Sequence, residues 1–143
     1  MITDIGHAAF AAHDLDRSLA FYGQLGIHEA FRLNRPDGTL MLVYLHVAGD
    51  RFIEIFPGGP EPVVDRPGSF MHLCLLTDDL HGLVEQLRQA GVTIFREPSL
   101  GLDHNWQAWV HDPDGNAIEF MQLSEESPQR QRARDWAAQA GRA

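Results

Sequence analysis

The chain has 143 residues, 44 % of them hydrophobic, and a formal charge of −9 from 11 basic and 20 acidic side chains. That length suits one compact domain or two small half-domains sharing a core, and the acidic balance excludes a broad nucleic-acid-binding surface, because phosphates would be repelled over most of it. No apolar run nears the roughly 20 residues that cross a bilayer, the opening MITDIGHAAF has neither a basic n-region nor a small-residue cleavage site, and the single cysteine, Cys74, has no internal disulfide partner, so a cytoplasmic protein without a membrane partner is expected.

In chain order, residues 5–12 (IGHAAFAA) form a short apolar run that suits a strand. Asp14 then offers a side-chain cap to a helix over 15–25, where Leu15, Leu19 and Tyr22 make one apolar stripe and Gly26 ends the helix. Strands follow near 27–33, 39–47 and 51–56, separated by turns at Pro36-Asp37-Gly38 and Gly49-Asp50. A linker rich in Pro and Gly covers 58–67.

The same series then returns. Residues 70–77 (FMHLCLLT) suit a strand, Asp78 or Asp79 caps a helix over 80–90, and Gly91 ends it. Three more strands are expected near 92–96, 105–111 and 116–123, with the last turn at Asp112-Pro113-Asp114-Gly115-Asn116. Beyond Leu123 the chain is polar, and 124–143 reads as a tail with a helix near 125–140. Its Arg130, Arg132 and Arg134 fit a solvated helix face.

Sliding the sequence along itself by 65 residues makes the duplication explicit. His7 falls on His72, Asp14-Leu15 on Asp79-Leu80, Gln24 on Gln89, Gly26 on Gly91, His46 on His111 and Ile53-Glu54 on Ile118-Glu119. Half of these 8 identities are His, Asp or Glu, which packing does not demand. The fold class that follows is α+β: two βαβββ modules, 1–57 and 68–123, within one domain over 1–123, followed by a helical C-terminal tail.

Strand parity then isolates four polar side chains. His7, Glu54, His72 and Glu119 each lie among small or apolar neighbours on one face, opposite a face apolar enough to pack on a helix. A carboxylate in such a place costs several kcal/mol of desolvation unless it is paired or bound to a metal. Two imidazoles and two carboxylates at duplicated positions point to one divalent cation held by all four. Cys74 shares the face of His72, and His104, Asn105 and Trp106 lie where a substrate rim could form. The default for each is packing or a loop edge.

The stretches GHAAFAAHDLDRSLAFYGQLG, FIEIF, FMHLCLLTDDL and WVHDPDGNAIEFMQL resemble the vicinal oxygen chelate superfamily, which includes glyoxalase I, methylmalonyl-CoA epimerase, extradiol dioxygenases and fosfomycin-resistance transferases, with bleomycin-resistance proteins among its relatives. The resemblance covers residues 4 to 123. It implies the glyoxalase/bleomycin resistance/dioxygenase fold, in which paired modules close a cupped mixed sheet around the metal. It also implies a glyoxalase I-type ligand set, since His7, Glu54, His72 and Glu119 match the His, Glu, His, Glu order of the bacterial enzymes.

That resemblance further implies an isomerisation of a 2-oxoaldehyde–thiol hemithioacetal to a 2-hydroxyacyl thioester through an enediolate. Glu119 would be the base, Glu54 its counterpart, the ion Ni²⁺, Zn²⁺ or Co²⁺, and the protein a homodimer, its metal site closing either within one chain or between two chains. Where bacterial glyoxalase I enzymes use an Arg and an Asn to hold glutathione, the matching positions are Ala11 and Gly58. Arg17, Arg32, Arg35 and Arg96 are the candidates for the missing charge, and the sequence does not choose among them. An epimerase of the methylmalonyl-CoA type and a metal-free, drug-binding protein remain the alternatives.

Overall fold

The computed structural model describes residues 4–64 and 69–140. Residues 1–3, 65–67 of the expected linker, Gly68 at the head of the second module and 141–143 of the tail lie outside them. The chain divides into two compact units, one made of the first half together with the turn Asp112–Asn116, the other of the second half without that turn. No helix is long and apolar enough to cross a membrane among the described residues.

The first unit contains β1 (His7–Ala12), α1 (Leu15–Gln24), β2 (His28–Asn34), β3 (Leu40–Ala48) and β4 (Arg51–Pro57). Its sheet has the order β1-β4-β3-β2, with β1 parallel to β4 and the remaining pairs antiparallel. Asp14 caps α1 by accepting the amide of Arg17 at 3.1 Å. Past the helix, Gly26 takes φ 76°, a left-handed turn that a side chain would strain. Val43 pairs with Ile55 and Leu45 with Ile53, and all four are buried with Phe21 and Tyr22 of α1. Burying each such side chain contributes about 1.5–3 kcal/mol. Alternation therefore sends Tyr44 and Glu54 to the opposite face.

The second unit repeats this with β5 (Leu73–Leu76), α2 (Leu80–Gln89), β6 (Ile94–Leu100), β7 (Trp106–His111) and β8 (Ala117–Gln122), in the order β5-β8-β7-β6. Asp79 caps α2 through the amide of Gly82 at 2.9 Å. Its core pairs Val110 with Ile118 and Ala108 with Phe120 beneath Leu80, Val84 and Leu87. Both βαβββ modules expected from the repeat are present, as is the tail helix, α3 (Pro128–Ala140).

Three boundaries differ from the sequence reading. β5 begins at Leu73, so Phe70, Met71 and His72 precede the strand. Their partner strand β8 starts at Ala117, and just before it the backbone of Asn116 is engaged by Asp112, whose amide bonds its carbonyl and whose carboxylate takes its N–H. β6 runs to Leu100 rather than stopping at residue 96. It is an edge strand whose register shifts between Arg96 and Ser99, which accommodates Pro98. Finally, α3 begins at Pro128, since Ser127 accepts the amide of Arg130 at 3.3 Å and acts as the cap.

The turn Asp112–Asn116 is held by buried side chains of its own unit. Asp114 accepts Ser18 Oγ at 2.7 Å and the amide of His13 at 2.7 Å. Asp112 accepts Tyr22 Oη at 3.1 Å and Asn116 Nδ2 at 2.9 Å. Burial raises the carboxyl of Asp112 above its ordinary range despite these bonds, and burial followed by the charge of Asp112 raises Tyr22 well above its own. Gly115 sits at φ 82°, with the Val63 carbonyl oxygen 2.7 Å from where a Cβ would stand. Only glycine fits there.

Candidate functional site

In the first unit the site begins at β1 and β4, which run parallel with Ala9 beside Glu54. His7, two residues before Ala9, shares its face. Its Nδ1 lies 3.6 Å from Glu54 Oε1. The Glu54 carboxylate is buried at 7 % exposure, whereas the imidazole is half-exposed. Tyr44 sits directly across from Glu54 on β3. The facing Glu54 carboxylate, as an acceptor for the phenol, holds Tyr44 above its usual pKa. Phe31 stacks on Tyr44 with ring centroids 4.3 Å apart, and Phe52 meets Tyr44 edge-on at 5.8 Å. The open face of this sheet is thus an aromatic floor with one carboxylate–imidazole pair set in it.

The second unit carries the matching pair. Cys74 of β5 and Trp109 of β7 flank Glu119 on β8. His72 Nε2 lies 3.1 Å from Glu119 Oε2, whose residue is 4 % exposed. Trp109 meets the His72 ring at 4.7 Å in an edge arrangement. Burial, reinforced by the charge of Glu119, pushes the Cys74 thiol up to about 12. A thiol so far from ionising is a packing group rather than a nucleophile.

All four sequence-derived ligands therefore stand in two His–Glu pairs, His7 with Glu54 and His72 with Glu119. Among the described residues, no three His, Cys, Asp or Glu side chains lie together closely enough to hold a metal ion. Each pair taken alone fits half of such a site. Two ligands at about 2.1 Å from one ion and at right angles are roughly 3 Å apart, close to the separations found here. Imidazole nitrogen with carboxylate oxygen also suits Zn²⁺, Ni²⁺ or Co²⁺.

Tyr44 is the residue that sequence reasoning missed. The 65-residue offset places it on Trp109, and two aromatic residues at one duplicated position beside the glutamates were the available signal. The other candidates stay peripheral: His46 bonds the Gly49 carbonyl at 3.0 Å in its own hairpin, and Asn105 is buried, bonding Asp103 and the Ser124 amide. Arg130 and Arg134 both pair with Glu125 and Arg132 with Asp135, so the basic tail is internally compensated. A pocket of about 190 Å³ beside Ala9, Ala11, Pro60, Asp114 and Asn116 contains neither His–Glu pair.

The sequence profile of the Glyoxalase/Bleomycin resistance protein/Dioxygenase superfamily matches residues 4–120. The chain belongs to this superfamily. Among curated glyoxalase-superfamily relatives, the probable lactoylglutathione lyase of Synechocystis sp. (strain ATCC 27184 / PCC 6803 / Kazusa) is 29 % identical over 124 residues, covering 82 % of this chain and 94 % of that protein. The solved structure of SMU.1112c superposes with a TM-score of 0.73 at 24 % identity, covering 85 % of this chain and 99 % of that one, and so supports the superfamily fold alone. A bleomycin-binding protein solved with bleomycin superposes at 0.62 with 27 % identity, covering 85 % of this chain and all of its own. The glyoxalase superfamily thus brings this chain relatives named for catalysis and a neighbour named for binding.

Proposed function

We propose that this protein is a metal-dependent lyase of the glyoxalase I type, converting a 2-oxoaldehyde–thiol hemithioacetal to a 2-hydroxyacyl thioester. The observation that carries the reading is the duplicated pair of buried glutamates, each with an imidazole 3.1 or 3.6 Å away. The relatives named lactoylglutathione lyase support it. In this reading His7, Glu54, His72 and Glu119 hold one Ni²⁺, Zn²⁺ or Co²⁺ ion. The protein works as a cytoplasmic homodimer that disposes of methylglyoxal, a second copy supplying the pair that each pair lacks.

When bound, the ion supplies Lewis acidity toward the oxygens of the substrate. The chain's own groups move the proton. The Glu119 carboxylate takes it from the carbon that bears sulfur and hydroxyl, leaving an enediolate. A proton is returned to the neighbouring former carbonyl carbon, and the hydroxyl proton passes to that carbon's oxygen, which leaves the sulfur-bearing carbon as the thioester carbonyl. Glu54 faces the substrate from the other side, with Tyr44 across from it on β3. Phe31, Tyr44, Phe52 and Trp109 keep water away from the reacting carbons.

Elemental analysis of the purified protein, followed by a thiol-dependent methylglyoxal assay before and after chelation, tests this reading. One divalent ion per site is expected, with activity lost on chelation and restored by Ni²⁺, Co²⁺ or Zn²⁺. Full activity after verified metal removal refutes it. A second reading, sequestration of a flat drug or metabolite without metal, is favoured by the stacked floor of Phe31, Tyr44 and Phe52 and by the likeness to the bleomycin-binding protein. Protein that purifies without metal and turns nothing over would establish that reading instead.

A further inference from the structure

Register sets four residues in a row across the open face of the second sheet. Cys74 lies beside Glu119, Glu119 across from Trp109, and Trp109 across from Arg96. The corresponding row of the first sheet reads Ala9, Glu54, Tyr44, Phe31. Both edge strands carry a bulge just before the outermost member, at Ala30 and at Phe95. The rows differ most in chemistry at their ends. Where the first sheet stacks a phenyl ring on its aromatic neighbour, the second places a guanidinium: Arg96 Cζ lies 5.3 Å from the Trp109 ring centroid and 5.9 Å from that of Phe95.

Arg96 is also distinguished among the four arginines that could hold an anion. Arg32 is bound through two nitrogens to Glu29, and Arg35 donates to the Leu40 carbonyl. Arg17 rides on α1, packed on the face opposite Glu54. Arg96 has no acidic partner among the described residues, while its neighbour Glu97 is taken by Arg88. A guanidinium laid against aromatic rings is held in plane with its N–H edge free, the arrangement that receives both oxygens of a carboxylate. On a chain of charge −9, an anionic substrate needs such a local cation.

We infer that Arg96, shelved on Trp109 and Phe95, is a carboxylate-binding clamp that selects substrates carrying an organic acid group about two strand spacings, roughly 10 Å, from the Glu119 carboxylate. This rests on the proposed function for its reacting end. It narrows the thiol to one that bears a carboxylate, and it puts the anion recognition on β6 rather than on β1.

The test is calorimetric titration of the purified protein with S-methylglutathione and with its diethyl ester, in wild type, Arg96→Met and Arg96→Lys. Wild type is expected to bind the acid about 10- to 100-fold more tightly than the ester. Arg96→Met brings the ratio near one, and Arg96→Lys keeps part of it. Equal affinities in wild type, no measurable binding of the acid, or a preference preserved in Arg96→Met overturns the inference. Turnover and metal content, measured on the same samples, separate the two claims. An inactive, metal-free protein that still shows the Arg96-dependent preference refutes the lyase and leaves the clamp standing. An active enzyme without the preference refutes the clamp alone.

Discussion

Tyr44 and Trp109, 65 residues apart in the chain, occupy the same register position in the two sheets, each directly across from a buried glutamate. The equivalence is one of place, not chemistry. The Tyr44 phenol is held above its usual pKa by Glu54, whereas an indole in the matching position gives its ring to His72. In the proposed mechanism Glu119 is the base and Glu54 lies on the other side of the substrate.

Glu119→Gln should therefore lower kcat by about 10² to 10⁴-fold at saturating metal, with part of the metal affinity retained. Glu54→Gln should lose less. Steady-state turnover of both variants with metal content held constant checks the order. A Glu119→Gln enzyme as fast as wild type removes the assigned base.

If a second copy completes each site, two inactive variants should rescue one another. His7→Ala/Glu54→Gln and His72→Ala/Glu119→Gln are each expected to be inactive. Unfolded together and refolded as a mixture, they should regain a measurable share of wild-type activity, because some heterodimers then have one intact ligand set. Failure of the mixture to exceed either variant alone means that the four ligands come from a single chain.

Removing the Tyr44 hydroxyl tests its influence on the neighbouring carboxylate. Tyr44→Phe keeps the stack with Phe31 and should weaken metal binding about 10-fold, the lower end of what partners of metal ligands contribute. Competition against a chromophoric chelator measures it, and an unchanged dissociation constant assigns Tyr44 to packing alone.

A pH dependence follows from Asp112. Its folded pKa is raised by burial, so between the ordinary value of 3.8 and that raised value the folded chain holds more protons than the unfolded one. Stability from this group is then fully present at low pH and declines as pH rises through the window. Asp112→Asn should cost about 1–3 kcal/mol, since an amide nitrogen cannot accept the bonds that the carboxylate now takes. Urea unfolding from pH 3.5 upward should show the gap between the variant and wild type narrowing as pH rises. A constant gap would show that Asp112 titrates alike in both states.

Much of this architecture was legible in the sequence because caps and strand parity act locally and the duplication repeats each local signal 65 residues on. The apolar alternation of Ile53 and Ile55 around Glu54, and the Asp14 and Asp79 caps, declare themselves within a few residues. What escaped depends on partners distant in sequence. Tyr44 and Glu54 are ten residues apart, yet only sheet register brings them face to face. That Arg96 lacks an acidic partner among the described residues emerges only once Glu29, Leu40 and Arg88 are seen to have claimed its rivals and its neighbour.

The assignment of Asp112–Asn116 to the first unit carries a consequence for biosynthesis. Ser18 and Tyr22 meet their buried acceptors only after residue 114 has left the ribosome tunnel, although both helix and sheet of that unit were made some sixty residues earlier. The opening half of the chain must wait, incomplete, for a short piece of the closing half. A fragment cut at the linker would emerge with two hydroxyls facing a gap.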